Sequence, residues 1–123
     1  MKTVLFVLLD QFADWESAFL APALRGGIMP GRPGSHAERY ATPEAERIVP
    51  LVREALSHGI LVGAICNAAS FLAAHGFLNG VRHTGNGLEM LREWGGANYT
   101  GEKLYQERQA VRDGNVVTAN GSG

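Results

Sequence analysis

The chain has few of the features that mark disulfide-rich, membrane-spanning or nucleic-acid-binding proteins. Its 123 residues include one cysteine, Cys66, which excludes an intramolecular disulfide and a cysteine-cluster metal site and indicates a reducing compartment. The chain has eleven Lys and Arg residues and twelve Asp and Glu residues, which gives a formal net charge of -1, and no basic run exceeds two residues. No segment approaches the ~18 consecutive apolar residues of a membrane span. We therefore expect no metal, no cofactor, no nucleic-acid partner and no membrane partner.

The sequence also lacks a convincing secretion signal. The apolar run Thr3–Leu9 is at the short end of the roughly 7 to 15 residues that a signal core uses. It stops at Asp10, and no small-x-small cleavage pattern follows before Asp14. Together with the single cysteine, this predicts a cytoplasmic protein.

Apolar residues make up 46% of the chain and charged residues 19%, a balance typical of one folded domain spanning residues 1–123. Two continuous apolar runs, Val4–Leu9 and Ile60–Ile65, predict strands that are buried on both faces, as in a parallel sheet. Two apolar pairs around Asp113-Gly114 predict a C-terminal hairpin. Strands alternating with helical patterns predict an α/β layered fold.

Helical segments separate these strands, and short signals mark where they start, stop or break. Pro50 predicts a break near 47–49 in the helix that opens at Thr42. The remaining predictions are a helix capped by Asp14, helices ending at His58-Gly59 and at His75-Gly76, a helix over 87–94 and a short strand over 81–84.

Cys66 lies between the second predicted strand and the helix that follows it. Reactive groups collect at the carboxyl ends of parallel strands, and a helix N-terminus favours the thiolate form of a cysteine placed there. The backbone N–H groups at that terminus could also bind an oxyanion. The alternative reading is that Cys66 is a small hydrophobic residue at the end of a core strand.

Three stretches of the sequence, 4–16, 62–69 and 110–121, together resemble the ThiJ/PfpI family of the class I glutamine amidotransferase-like superfamily. The match covers most of 1–24 and 43–121 in the right order, which is more specific than any single motif. The resemblance implies a flavodoxin-like three-layer sandwich with a mainly parallel sheet. It also implies a cysteine at a strained strand-to-helix elbow, the nucleophile elbow.

The resemblance implies particular site residues. Cys66 takes the position of the nucleophile. Glu16 takes the position of a carboxylic acid that contacts the sulfur and shares a proton with it. Backbone N–H groups of Asn67 and of Gly31, in the surviving piece of a Pro-Gly loop, would hold an oxyanion. Without the resemblance, Glu16 reads as an exposed residue in the first turn of a helix.

The sequence departs from the family at two site positions. Asn67 stands where protease-like relatives place a His directly after the nucleophile, which makes a peptidase less expected. Alignment on Thr84 puts Asn86 where other relatives carry a His or Tyr, with His83 displaced. His83 could serve as a base, or could instead pack or face solvent.

The chain is also shorter than the family pattern. A central strand-helix-strand segment near residues 25–30 and a C-terminal helix have no counterpart, so we expect either segments omitted from the chain or a deletion form with a thin core. We favour omission.

Two functions remain open, with a third reading in which Cys66 is sealed and inert. The first is a cysteine-dependent hydrolase or transferase, of amidase or glyoxalase-like type, that acts on a small carbonyl or amide substrate. The alternative is a non-catalytic redox or stress-response protein with an oxidisable Cys66. The resemblance implies a homodimer, and Trp94 and Tyr99 could contribute to its contact surface.

Overall fold

The computed structural model describes residues 46–121, all within one compact unit of the chain, residues 39–123. The predicted strand Val4–Leu9, the helix capped by Asp14 and the Pro-Gly loop at Gly31 lie outside the described residues, so a single domain over 1–123 stays a prediction. In chain order the described elements are α1 (Ile48–Ser57), β1 (Val62–Ile65), α2 (Asn67–Ala74), α3 (Leu88–Gly95), two 3-10 turns (Gly96–Asn98 and Glu102–Leu104), β2 (Ala110–Asp113) and β3 (Val116–Ala119).

Pro50 lies in the first turn of α1. At that position the missing N–H costs no intrahelical hydrogen bond, and the fixed φ of proline suits a helix start. Arg47, directly before α1, lies outside the helix but keeps helical angles, φ -65° and ψ -23°, so the break predicted near 47–49 amounts to a helix boundary without a sharp change in the backbone.

Helices α1 and α2 end in the same way, at the glycines that the sequence predicted as stops. Gly59 has φ 68° and Gly76 has φ 76°, left-handed conformations that glycine adopts without a Cβ penalty. After α1, the N–H of Gly59 donates to Leu56 O at 3.1 Å and that of Ile60 donates to Ala55 O at 2.9 Å. Equivalent bonds close α2, so both ends are Schellman motifs that satisfy the last helical carbonyls.

The three strands described between residues 46 and 121 form a mixed sheet in the order β1-β3-β2. β1 pairs with β3 in parallel, and β2 pairs with β3 in antiparallel, which confirms the predicted hairpin. The predicted strand over 60–65 is shorter than expected, because Ile60 and Leu61 lie in the connection and are exposed. It is also not buried on both faces as predicted, since Ala64 is buried but Gly63 and Ile65 are exposed. A single bridge from His83 to Tyr105 stands in place of the short strand predicted over 81–84.

Helix α2 supplies much of the described core. Ala69 and Ala73 are fully buried and Leu72 is 2% exposed, so this helix has little polar surface. Leu91 of α3 and Leu78 are also fully buried, each side chain contributing about 1.5–3 kcal/mol by leaving water. Parallel pairing of β1 and β3 brings the ends of both strands to one edge of the sheet, and Cys66 follows β1 at that edge.

Candidate functional site

Cys66 holds a strained backbone conformation between β1 and α2. Its φ is 57° and its ψ is -123°, and within residues 46–121 it is the single non-glycine residue with a positive φ. Such a conformation costs on the order of 1–3 kcal/mol and persists where the surroundings fix it. Here the Cys66 N–H donates to Ala119 O of β3 at 3.0 Å, and its carbonyl accepts from Ala69 N–H of α2 at 3.0 Å. The sheet and the helix therefore clamp the residue from both sides.

The sulfur is buried beside an amide and a glycine. Cys66 is 8% exposed, and Nδ2 of Asn86 donates to its Sγ at 3.0 Å. The N–H of Gly121 donates to Oδ1 of Asn86 at 2.8 Å, which ties the amide to the chain just beyond β3. A Cβ at position 121 would lie 2.9 Å from the sulfur, closer than real Cβ contacts allow. Only a glycine fits there without a shift of its neighbours.

Asn67 is the first residue of α2, directly after the cysteine. Its backbone N–H belongs to the first turn, where helix N–H groups point out of the helix and carry partial positive charge. A negative charge that develops on or near the sulfur is therefore next to the positive end of a helix.

His83 forms a second buried polar centre and is fully buried. Its Nδ1 lies 2.7 Å from Val81 O, and its Nε2 lies 2.7 Å from the Tyr99 hydroxyl. Because a carbonyl can only accept, Nδ1 carries the proton and Nε2 accepts from Tyr99. Burial lowers the pKa of His83 below its usual value, which the hydrogen bond with Val81 partly opposes. Burial, with lesser contributions from nearby charges, raises the pKa of Tyr99 to about 12.

The structure brings together three of the site residues that the sequence proposed, Cys66, Asn67 and Asn86. His83 does not face solvent, and both of its ring nitrogens are engaged away from the sulfur, by Val81 and Tyr99. Glu16 and Gly31 lie outside the described residues.

Sequence reasoning missed the contact of Gly121 with the sulfur and misplaced Tyr99. Gly121 follows the strand that runs parallel to β1, and this shared edge was the one signal that could have found it. Tyr99, expected on a contact surface, is 5% exposed and packs edge-to-face against His83 with ring centroids 5.6 Å apart. It therefore belongs to the core.

Neither a metal cluster nor a membrane span is found in the described part of the chain. No group of three or more His, Cys, Asp or Glu side chains there could hold a metal ion. No helix there is both long and apolar enough to cross a membrane.

A parallel strand, a strained cysteine and a helix that begins directly after it define an α/β protein whose candidate site lies at the carboxyl end of a strand. The sequence profile of the DJ-1/PfpI family matches residues 28–123, which is most of the chain. The chain belongs to the DJ-1/PfpI family, so the resemblance to ThiJ/PfpI proteins is confirmed, and its fold class is α/β of the flavodoxin-like type.

Two curated relatives come from Bacillus subtilis (strain 168), and both are named as uncharacterized proteases. YdeA is 32% identical over 155 residues, an alignment that covers 99% of this chain and 77% of the relative. YoaZ is 42% identical over 74 residues, covering 60% of this chain and 35% of the relative. The YdeA alignment is longer than the 123-residue chain, so YdeA carries residues inside the matched span that have no counterpart here.

Two solved structures share the fold. A DJ-1 superfamily protein from Agrobacterium tumefaciens is 32% identical with a TM-score of 0.71, and the match covers 92% of this chain and 78% of that one. A thiJ/pfpI family protein from Bacillus anthracis is 38% identical with a TM-score of 0.64. That match covers 76% of this chain but 41% of the Bacillus anthracis chain, so this chain spans less than half of that protein.

Proposed function

We propose that this protein is a cysteine-dependent enzyme of hydrolase or transferase type that acts on a small carbonyl or amide substrate, with Cys66 as nucleophile. The observation that carries the proposal is the strained backbone of Cys66, held by β3 on one side and α2 on the other. Strain of this kind is retained where a site needs a group in one position. Family membership supports the same reading, as do the protease names of both Bacillus subtilis relatives.

In the proposed reaction the thiolate of Cys66 attacks the substrate carbonyl carbon. A carbon–sulfur bond forms, and the π electrons of the carbonyl move onto its oxygen. The N–H of Asn67 at the start of α2 is proposed to hold this oxyanion together with the N–H of Gly31. Glu16 is proposed to tune the thiol by sharing a proton with it.

The residues around the sulfur favour an aldehyde over an amide substrate. Hydrolysis of an amide must expel an amine, which needs a general acid to protonate it. The adjacent position holds Asn67, and Asn86 contacts the sulfur with a neutral amide. Addition to an aldehyde expels nothing, since the alkoxide takes a proton from water and leaves a thiohemiacetal.

Rates of methylglyoxal consumption and glutamine hydrolysis, each measured for the wild type and for Cys66→Ser, test the proposal. We expect the wild type to act on methylglyoxal more than on glutamine, and Cys66→Ser to fall to the background rate. A buffer blank and a folded Cys66→Ser protein, checked by circular dichroism, are the controls. Equal background rates for wild type and variant on both substrates would rule out this enzyme function.

A redox role is the second candidate, and the Asn86 amide is the observation that favours it. Oxidation of Cys66 by peroxide to a sulfinate adds two oxygens that need hydrogen-bond donors, and Nδ2 of Asn86 is already 3.0 Å from the sulfur. Intact-mass analysis after mild peroxide would show a stable two-oxygen adduct that Cys66→Ser lacks. A wild-type thiol that resists peroxide and alkylating reagents alike points instead to a sealed, inert cysteine.

We also propose a homodimer in the cytoplasm. Among residues 46–121, the large apolar residues Leu51, Ile60 and Leu61 are more than half exposed, and such residues are candidates for a contact surface. Sedimentation-velocity analysis of the wild type and of Leu61→Glu tests this, with a shift of the variant toward monomer as the expected result. A wild-type monomer at micromolar concentration would contradict the dimer.

A further inference from the structure

The side chain of Asn86 links the backbone after β3 to the sulfur of Cys66. We propose that Asn86 is a positioning residue that holds Cys66 in its thiolate form through a neutral, donor-only contact. The proposal deepens the proposed function, which makes Cys66 the nucleophile, but it concerns the ionisation of the sulfur and not turnover.

The orientation of the Asn86 amide is fixed by Gly121. A backbone N–H can only donate, so the Asn86 atom 2.8 Å from Gly121 N must be the oxygen Oδ1. The NH2 group then faces the sulfur, 3.0 Å away. One hydrogen bond to the main chain therefore determines which end of the amide the sulfur meets.

An NH2 group can donate but cannot accept, and this favours one protonation state of the cysteine. A thiolate is a full acceptor for such a donor, and hydrogen bonds to charged groups are about twice as strong as neutral ones. A thiol sulfur accepts only weakly, and its own proton finds no acceptor in the NH2 group. Asn86 therefore stabilises the negative form more than the neutral form.

The strands and helix that adjoin Cys66 contain no ionisable side chain within their described ranges. The strands β1 and β3 and the helix α2 hold apolar and neutral polar side chains around Cys66. His83 is engaged by Val81 and Tyr99, and Glu16, the proposed acid, lies outside these ranges. Among the described side chains, the Asn86 amide donates a hydrogen bond to the sulfur, and an amide keeps its N–H donors at every pH.

The pH dependence of alkylation by iodoacetamide tests the proposal directly. The thiolate displaces iodide, and because Cys66 is the single cysteine in the chain, the rate reports on this sulfur alone. In Asn86→Ala the donor is lost, and we expect the midpoint of the rate-against-pH curve to rise by about one pH unit. Asn86→Asp keeps the acceptor for Gly121 and replaces the donor with a negative oxygen, so its midpoint rises further.

Asn79→Ala is the matched control. Asn79 also bridges two backbone groups, accepting from Thr100 N–H at 2.9 Å and donating to Asn98 O at 2.8 Å, but away from the sulfur. Its loss should leave the alkylation midpoint within about 0.3 pH unit of wild type, a difference worth roughly twofold in the thiolate ratio.

The outcomes separate cleanly. A rise in both Asn86 variants with none in Asn79→Ala supports the proposal. No rise in either Asn86 variant, a rise in Asn86→Asp alone, or an equal rise in the control overturns it. If circular dichroism shows that Asn86→Ala is unfolded, Asn86→Leu, which is close to Asn in size and has neither donor nor charge, takes its place: a rise of about one unit supports the proposal, and no rise overturns it. Methylglyoxal turnover is measured separately, so a shifted midpoint without turnover would refute the enzyme function and leave the role of Asn86 standing.

Discussion

Two buried polar centres, one at Cys66 and one at His83, lie in the same small core but are built in opposite ways. His83 has a hydrogen-bond partner at each ring nitrogen and packs edge-to-face against Tyr99 and Tyr105. Cys66 has a strained backbone, and the neighbouring amide can donate to its sulfur but not accept from it. Burial lowers the pKa of His83 and so suppresses its charged form, whereas the Asn86 donor is proposed to favour the charged form of Cys66.

Under the proposed function, the difference separates a structural polar group, His83, from a reactive one, Cys66. A buried group whose donors and acceptors are all matched lowers the energy of one folded arrangement and has little left to offer a substrate. A group placed at a cost in backbone energy, beside a donor that suits its anion better than its neutral form, is the one we propose to react. We therefore propose Cys66 and not His83 as the reactive residue, although histidine is often used as a base in catalysis.

Removing His83 should cause the largest loss of stability. His83→Ala leaves a cavity and removes the hydrogen-bond partner of both Tyr99 Oη and Val81 O. We therefore expect the free energy of unfolding to fall by about 3 kcal/mol. Urea unfolding measures this. His58→Ala is the control, because His58 is exposed at the end of α1 and its loss should change stability by less than about 0.5 kcal/mol. Similar small losses in both variants would show that the His83 contacts do not hold the core.

Adding a methyl group beside the sulfur should have the next largest effect. In Gly121→Ala the new Cβ would lie 2.9 Å from Cys66 Sγ and 3.0 Å from its Cβ, so the sulfur or the chain after β3 must move. We expect alkylation of Cys66 at neutral pH to slow by about tenfold, equivalent to about 1.4 kcal/mol. Gly80→Ala, where a Cβ meets nothing within 4 Å, is the control. Unchanged alkylation in Gly121→Ala would mean that this contact does not position the sulfur.

A third prediction concerns the strain at Cys66 itself. Glycine adopts a φ of 57° far more readily than alanine, so Cys66→Gly should be more stable than Cys66→Ala by about 1 kcal/mol, the reverse of the usual order. Thermal and urea unfolding of the two variants give the comparison, and neither variant has a sulfur to complicate it. If Cys66→Ala proves the more stable, the backbone at this position is not strained.

The smallest effect should appear in the pH dependence of stability. The pKa of His83 is lowered in the folded protein, so as pH falls below about 6.5 the unfolded chain takes up a proton that the folded chain resists. Stability should therefore decrease below that pH and show no contribution from His83 above it. Urea unfolding at pH 7.5, 6.5 and 5.5 should show a steeper decline for wild type than for His83→Gln. Parallel declines would contradict the burial of a neutral imidazole.

Local sequence pattern predicted the parts of the fold that depend on neighbours along the chain. The apolar run before Cys66 predicted a strand, and the alanine-rich stretch after it predicted a helix that stops at Gly76, because apolar runs and glycine stops are local signals. The turn at Gly114 was readable for the same reason. Ile60 and Leu61 were assigned to the strand because exposure is not visible in an apolar run.

Contacts between distant residues could not be read in this way. Gly121 lies near Cys66 because β3 runs beside β1, and Asn86 lies near Gly121 because Thr84 N–H donates to Thr118 Oγ1 of β3 at 2.8 Å. No periodicity in the sequence records either pairing. For His83 the sequence left packing and exposure both open, since its partner Tyr99 is set by the path of the chain after α3. The proposed parts of the site that fall on Glu16 and Gly31 rest on the family resemblance.

The parallel pairing of β1 with β3 makes the thiol dependent on residues synthesised long after it. Until the C-terminal hairpin docks, Ala119 cannot hold the main chain of Cys66 and Gly121 cannot orient Asn86. A ribosome-bound or partly folded chain would thus expose an ordinary cysteine, and the reactivity proposed for Cys66 would appear only once the sheet is complete.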